Sequence, residues 1–119
     1  MRITGGMARS INLLSLEHKL LRPATDFLRQ AIFSSLGNIV IGKNFLDLFA
    51  GTGAYGLEAL SRGASGGVFV EKNFSLKQIL QKNIGAVSKS LAIDGSCCDV
   101  IIGDCLTFGC QKKFGLIFI

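Results

Sequence analysis

One apolar run, broken by a single acid, leads straight into a glycine loop: Phe45-Leu46-Asp47-Leu48-Phe49-Ala50, then Gly51-Thr52-Gly53-Ala54-Tyr55-Gly56. The apolar run reads as a buried strand over 45–49. Gly51, Gly53 and Gly56 form a Gly-x-Gly-x-x-Gly pattern, and a helical pattern opens from it at once. Glycine lets the backbone turn tightly and lie close to a ligand that a Cβ would hold off. The first N–H groups of the helix then point at that ligand. Strand, glycine turn and helix in this order form a nucleotide-binding unit, with Ala50, Gly51, Thr52 and Gly53 against the ligand.

Asp47 bears on which nucleotide. It stands four residues before the first glycine. A dinucleotide pyrophosphate is anionic, and a carboxylate there would repel it. A ligand with a cationic or amine end suits it, such as the methionine part of S-adenosylmethionine (SAM). The other reading of Asp47 is a structural acid held by hydrogen bonds, since charged residues are seldom fully buried unless paired.

At 119 residues the chain makes one domain with a real core, small for an α/β enzyme. Its hydrophobic content of 49% and mean hydropathy of +0.46 argue against disorder beyond the termini. No apolar stretch reaches the ~18 residues that span a bilayer. The start, Met1-Arg2-Ile3-Thr4-Gly5-Gly6, lacks the pattern of a secretory signal, so a cytoplasmic protein is expected.

The net charge of +5 is uneven. Residues 1–30 hold Arg2, Arg9, Lys19, Arg22 and Arg29 against Glu17 and Asp26, a net +3. A basic N-terminal arm over 1–24, before a nucleotide-binding domain over 25–119, suits a polyanion such as RNA; solubilising charge is the alternative. The four cysteines contain no Cys-x-x-Cys pair and His18 is the sole histidine, so no metal is expected. Cys97 and Cys98 read as small buried hydrophobes in a reducing compartment. No Ser/His/Asp or Cys/His arrangement supports a nucleophilic hydrolase.

Periodicity supplies the remaining elements. Residues 1–22 read as irregular, with β-prone pieces at 2–4 and 11–16. Thr25 or Asp26 caps a helix after Pro23, whose apolar face is Phe27, Leu28, Ala31, Ile32 and Leu36 and whose stop is Gly37. A helix over 54–62 follows the glycine loop and ends at Gly63. A second strand over 67–70 closes on Glu71. A helix over 74–91 turns Leu76, Ile79, Leu80, Asn83, Ile84, Val87 and Leu91 inward, a third strand covers 98–102, and a fourth begins at Leu116. Strands alternating with helices predict a Rossmann-like α/β fold with a parallel sheet and right-handed crossovers.

In such sheets ligands sit beyond the carboxyl ends of the strands, where strand order reverses. Asp47, Glu71 and Asp104 all fall at strand carboxyl ends. Glu71, twenty positions after Gly51, can accept from both hydroxyls of a ribose, in NAD-binding and SAM-binding folds alike. Its alternative is a surface acid paired with Lys72. Asp104 can accept from an adenine amino group with Cys105 near the ring; its alternative is a Gly-Asp turn. An NAD(P)-binding oxidoreductase domain shares the loop and Glu71 but gives Asp47 no purpose.

With these residues assembled, the chain resembles the RsmD-type family of small-subunit ribosomal RNA guanine-N2 methyltransferases. The likeness rests on residues 1–6, on Arg22-Pro23-Ala24-Thr25 with Arg29, Ala31 and Phe33, on 45–53, on Gly56-Leu-Glu-Ala-Leu-Ser-Arg-Gly-Ala64, and on Phe69-Val-Glu-Lys72. The resemblance implies SAM as methyl donor and 16S rRNA, free or in the assembling small subunit, as partner. It implies a cofactor site of Asp47, Ala50, Gly51, Thr52, Gly53, Glu71, Lys72, Asp104 and Cys105. Arg2, Arg9, Arg22 and Arg29 are implied to meet RNA phosphates. The arm over 7–12 is less basic than the family's. Amine methyltransferases carry Asp/Asn-Pro-Pro-Tyr/Phe after the fourth strand, and this chain holds no such segment up to Ile119. It therefore names no catalytic residue here, and the isolated chain is expected to bind cofactor but to transfer little methyl, or to be an inactive remnant.

Overall fold

A computed structural model describes residues 1–15, 23–105 and 113–119. Glu17, His18, Lys19, Arg22 and Cys110 lie outside the described residues. The elements are α1 (Pro23–Leu36), a 3-10 turn (Gly37–Val40), β1 (Asn44–Asp47), α2 (Ala54–Ser61), β2 (Gly66–Glu71), a second 3-10 turn (Phe74–Leu76), α3 (Lys77–Ser90), β3 (Cys98–Ile102) and β4 (Leu116–Phe118). No described helix is long and apolar enough to cross a membrane.

The four strands form one parallel sheet in the order β3-β2-β1-β4. The chain builds outward from β1 through β2 to β3, then returns to the other side of β1. The reversal therefore falls at β1, whose carboxyl end carries Asp47 and the glycine loop. Alternation along the strands gives the sheet two buried faces. Phe45 and Phe69, packed edge-on with centroids 5.1 Å apart, belong to the large core that α1, α2 and α3 complete with Phe33, Leu57, Leu60, Leu80 and Val87. Leu46, Val68 and Val70 belong to a smaller cluster on which Leu48, Cys105 and Phe114 pack.

Three expectations are corrected. The first strand stops at Asp47, two residues early, and Phe49 turns out to solvent at 63% exposure because the loop bends away from the sheet. The first helix opens at Pro23, so Thr25 and Asp26 lie within its first turn and do not precede it. Proline suits that position because its missing N–H would have no helical partner there.

The third correction is the face of α1. Phe27, Leu28, Ala31 and Ile32 face outward, and Arg29 and Phe33 are the buried pair. The cause is electrostatic. Arg29 donates through Nε to Glu58 of α2 at 2.9 Å and through Nη2 to Asp26 at 2.8 Å. That pairing rotates the helix so that its arginine, and not its most apolar stripe, meets α2.

Residues 1–13 are not a loose arm. Ile3 and Ile11 exchange strand-like hydrogen bonds with their neighbours (Ile3 N–H to Ile11 O, 3.0 Å; Ser10 N–H to Ile3 O, 2.9 Å), closing an antiparallel hairpin. Ile3, Ala8 and Leu13 sit in the main core.

Candidate cofactor site

The glycine loop owes its shape to three different demands. Gly51 and Gly53 have φ of +54° and +86°, a region that L side chains rarely adopt. A Cβ on Gly56 would lie 2.4 Å from the Phe69 ring and 2.6 Å from the Phe45 ring. That glycine lets α2 pack directly on the sheet, the role of the third glycine in such loops. A Cβ on Gly51, by contrast, would meet no protein atom within 4 Å. The backbone of Gly51 thus borders open space at the carboxyl end of β1.

Asp47 stands at that end of β1. Its carboxylate is 4% exposed, and Oδ2 accepts from the Gly56 N–H at 3.3 Å. Burial pushes its pKa from 3.8 up to about 6; the N–H groups of Gly56 and Phe49 oppose the shift, and the Glu71 charge adds to it. A raised acid favours the folded state most below its unfolded pKa, and that stability is lost as pH rises through about 6. Asp47→Asn is therefore expected to stabilise the protein at pH 7.5, by up to about 3 kcal/mol at ~1.4 kcal/mol per unit. Urea unfolding at pH 4 and 7.5 checks this; a midpoint that Asp47→Asn lowers at pH 7.5 contradicts it.

Glu71 reaches across from β2. Oε1 accepts from the Gly51 N–H at 2.8 Å and Oε2 from the Asn73 N–H at 2.8 Å. It therefore holds the loop with two backbone donors and does not pair with Lys72. Lys72 extends instead toward Asp104, Nζ to Oδ2 3.9 Å, with its side chain 80% exposed. Asp47, Ala50, Gly51, Thr52, Gly53, Glu71, Lys72 and Asp104 thus all stand along the carboxyl edge of β1, β2 and β3. Cys105 is half-buried and packs on the Leu46–Val68–Val70 cluster. Cys97 and Cys98 are half-buried, with sulfurs 3.7 Å apart, and burial pushes the Cys98 thiol up to about 12.

Sequence reasoning placed Asn83 inward but missed its role. Asn83 is 1% exposed and donates to the carbonyls of Thr52 (2.8 Å) and Leu14 (3.1 Å) while accepting from the Leu14 N–H at 2.8 Å. It ties α3, the glycine loop and the N-terminal hairpin together. Asn83→Ala removes these three hydrogen bonds, each worth about 0.5–1.5 kcal/mol net. Faster amide exchange at Leu14 is the expected reading; unchanged protection there contradicts the role.

Glu58, one residue of the 56–64 stretch, is the hub of the N-terminal docking. It is wholly buried. It accepts from the N–H groups of Thr4 and Gly5, both at 3.0 Å, and from Arg29 Nε at 2.9 Å and Arg62 Nε at 2.8 Å. Ser61 adds a second tie, accepting from the Ala8 N–H at 2.9 Å and donating to the Gly5 carbonyl at 2.7 Å. Gly6, at φ +82°, passes so close that a Cβ would lie 2.1 Å from the Ser61 carbonyl. Residues 1–6 and 56–64, two of the stretches that carry the family likeness, are thus two halves of one contact.

This corrects one expected RNA contact. Arg29 is 1% exposed, and its guanidinium is committed to Glu58, Asp26 and the Arg2 carbonyl, which leaves no open edge for a phosphate. Arg2 and Arg9 are exposed on the hairpin. Arg22 lies outside the described residues.

Comparison with known proteins agrees with this architecture. The family model described as "Conserved hypothetical protein 95" matches residues 1–119. The chain is 36% identical over 111 residues to the ribosomal RNA small subunit methyltransferase D of Escherichia coli, covering 93% of this chain and 53% of that protein. A solved structure of E. coli yhhF, named as a methyltransferase, superposes with TM-score 0.81 and 34% identity over 100% of this chain and 63% of that one. A hypothetical protein of Thermus thermophilus superposes with TM-score 0.66 and 33% identity, over 87% of this chain and 56% of that one. The chain spans about half the length of the curated relatives it matches.

Proposed function

The chain belongs to the family described as conserved hypothetical protein 95, the RsmD family of rRNA methyltransferases, and on that premise we propose that it carries the SAM-binding part of an enzyme that methylates the exocyclic N2 amine of a guanine in 16S rRNA. The observation that carries this reading is the pairing of a buried Asp47 with an open Gly51 at the reversal of strand order. Bound SAM supplies a methyl group made electrophilic by its sulfonium. Asp47 and the N–H groups of the loop would hold the amino-acid end, Glu71 the ribose, and Asp104 the adenine edge. A cationic amine beside Asp47 offsets the cost of ionising it, which a pyrophosphate would raise. The chain's contribution to rate is positioning, which can supply several kcal/mol of a barrier.

The reaction is tested with the protein as its cells make it, supplied with tritiated SAM and small-subunit RNA. Label on N2-methylguanine is expected. Label on another base, or on none, contradicts the assignment. Salt should weaken the RNA complex steeply, since about one counterion is released per phosphate contact.

A further inference from the structure

The geometry points to a nucleotide subsite in the cleft between the N-terminal hairpin and α1, where one single-stranded nucleotide of the RNA substrate stacks its base on Phe27 and sets its phosphate against Arg2 and Arg9. This rests on the reading that the chain acts on RNA. The cleft encloses about 200 Å³ and is lined by Arg2, Arg9 and Ser10 from the hairpin and by Asp26, Phe27 and Gln30 from α1. Drug-sized pockets run ~300–1,000 Å³, so this one suits a single planar group with a charged edge and not a whole cofactor.

Its chemistry is that of single-strand binding, a cationic groove with an aromatic platform. Phe27 is 72% exposed on a helix whose buried face is taken by Arg29 and Phe33. A large ring so exposed contributes nothing to the core, and its face is open to a base. The acids beside it do not cancel the groove's charge. Asp26 is held by Arg29 at 2.8 Å, and Glu58 by Arg29 and Arg62. The charge that Arg2 and Arg9 bring to the cleft is therefore left over within this cluster. Gln30 and Ser10 add neutral donors and acceptors that tolerate any base edge.

The cleft is also in the right place. Met1 Sδ receives the Thr52 hydroxyl of the glycine loop at 3.4 Å, and Arg2 and Thr4 follow on the same strand. Three residues of extended chain span at most ~10 Å. The strand that lines the cleft therefore begins at the cofactor loop, within reach of a nucleotide flanking the target base. The buried Arg29 acts here as a positioning residue, since it grips the Arg2 carbonyl and so sets the strand that carries Arg2 into the cleft.

The test is fluorescence anisotropy with a labelled single-stranded RNA decamer, alongside SAM binding as a control for folding. Phe27→Ala should weaken RNA binding about ten-fold, within the range of one base–aromatic stack. Phe27→Trp should restore it. Arg9→Ala should lower the slope of log affinity against log salt by about one. SAM affinity should be unchanged in all three. Wild-type RNA affinity in both Phe27→Ala and Arg9→Ala overturns the subsite and leaves the proposed function standing. A wild-type chain that binds SAM but no RNA overturns both the subsite and the RNA substrate.

Discussion

Glu58→Ala should cost about 3–5 kcal/mol of folding free energy, the usual result of removing one partner of a buried ion pair. Domains of this kind are stable by only ~5–15 kcal/mol, so the loss is a large share of the total. The substitution strands Arg29 at 1% exposure and releases the N–H groups of Thr4 and Gly5 together. The hairpin would detach from α2, and with it Ile3, Ala8 and Leu13 would leave the core. Far-UV circular dichroism during urea unfolding measures this. A loss under about 1 kcal/mol, the range of exposed pairs, would contradict the hub. The double substitution Glu58→Leu with Arg29→Leu should recover only part of the loss, because it removes the buried ion pair but still leaves the Thr4 and Gly5 N–H groups and Arg62 without the carboxylate.

The same residue fixes the acid limb of stability. Burial by itself would raise the Glu58 pKa, but hydrogen bonds from Arg62, Thr4 and Arg29 and the Arg29 charge bring it below 4.5. A lowered acid stabilises the fold above its unfolded pKa, and that stability is lost as pH falls below 4.5 toward the folded value. Asp47 acts with the opposite sign, so the two acids favour a stability maximum on the acid side of neutrality.

Gly56→Val should disrupt both fold and ligand binding. The first added carbon would lie 2.4 and 2.6 Å from the Phe69 and Phe45 rings. Both rings are 0% exposed and packed against each other, so neither can yield. Overpacking typically costs ~1–3 kcal/mol, and valine adds two further methyls at the tightest point between α2 and the sheet. Relief requires α2 to move off β1, which takes the Gly56 N–H away from Asp47 and should lower SAM affinity at least ten-fold. Thermal unfolding together with titration of SAM tests this, and wild-type values in both would contradict the packing account. Gly85→Ala is the natural control. It sits on the outer face of α3 with no atom within 4 Å of the added carbon, and should stabilise by up to ~1 kcal/mol.

What could be read from the sequence was what depends on neighbours along the chain. The strand, glycine loop and helix over residues 44–61 follow from local backbone demands and period, and they emerged in the expected order, with only the strand's end two residues early. The parallel order followed from alternation. What could not be read was decided by partners far away. Arg29 and Glu58 are 29 positions apart, and nothing in the period of α1 shows that its arginine outcompetes Phe27 and Leu28 for the interior. Residues 2–4 read as a β-prone piece, but nothing local shows that the Thr4 and Gly5 N–H groups go to Glu58 of α2, more than 50 positions on. Asn83 read as one more inward residue on α3, because its tie to Thr52 spans 31 positions. A polar residue at an inward helical position was the signal for it, since buried polar groups are nearly always bonded.

Calorimetric titration of this chain with SAM, beside a parallel titration with NAD, tests the central claim most directly. Saturable heat with SAM, none with NAD, and none with SAM for Asp47→Ala is the expected result. Binding of NAD in place of SAM, or unchanged SAM affinity in Asp47→Ala, would contradict the account.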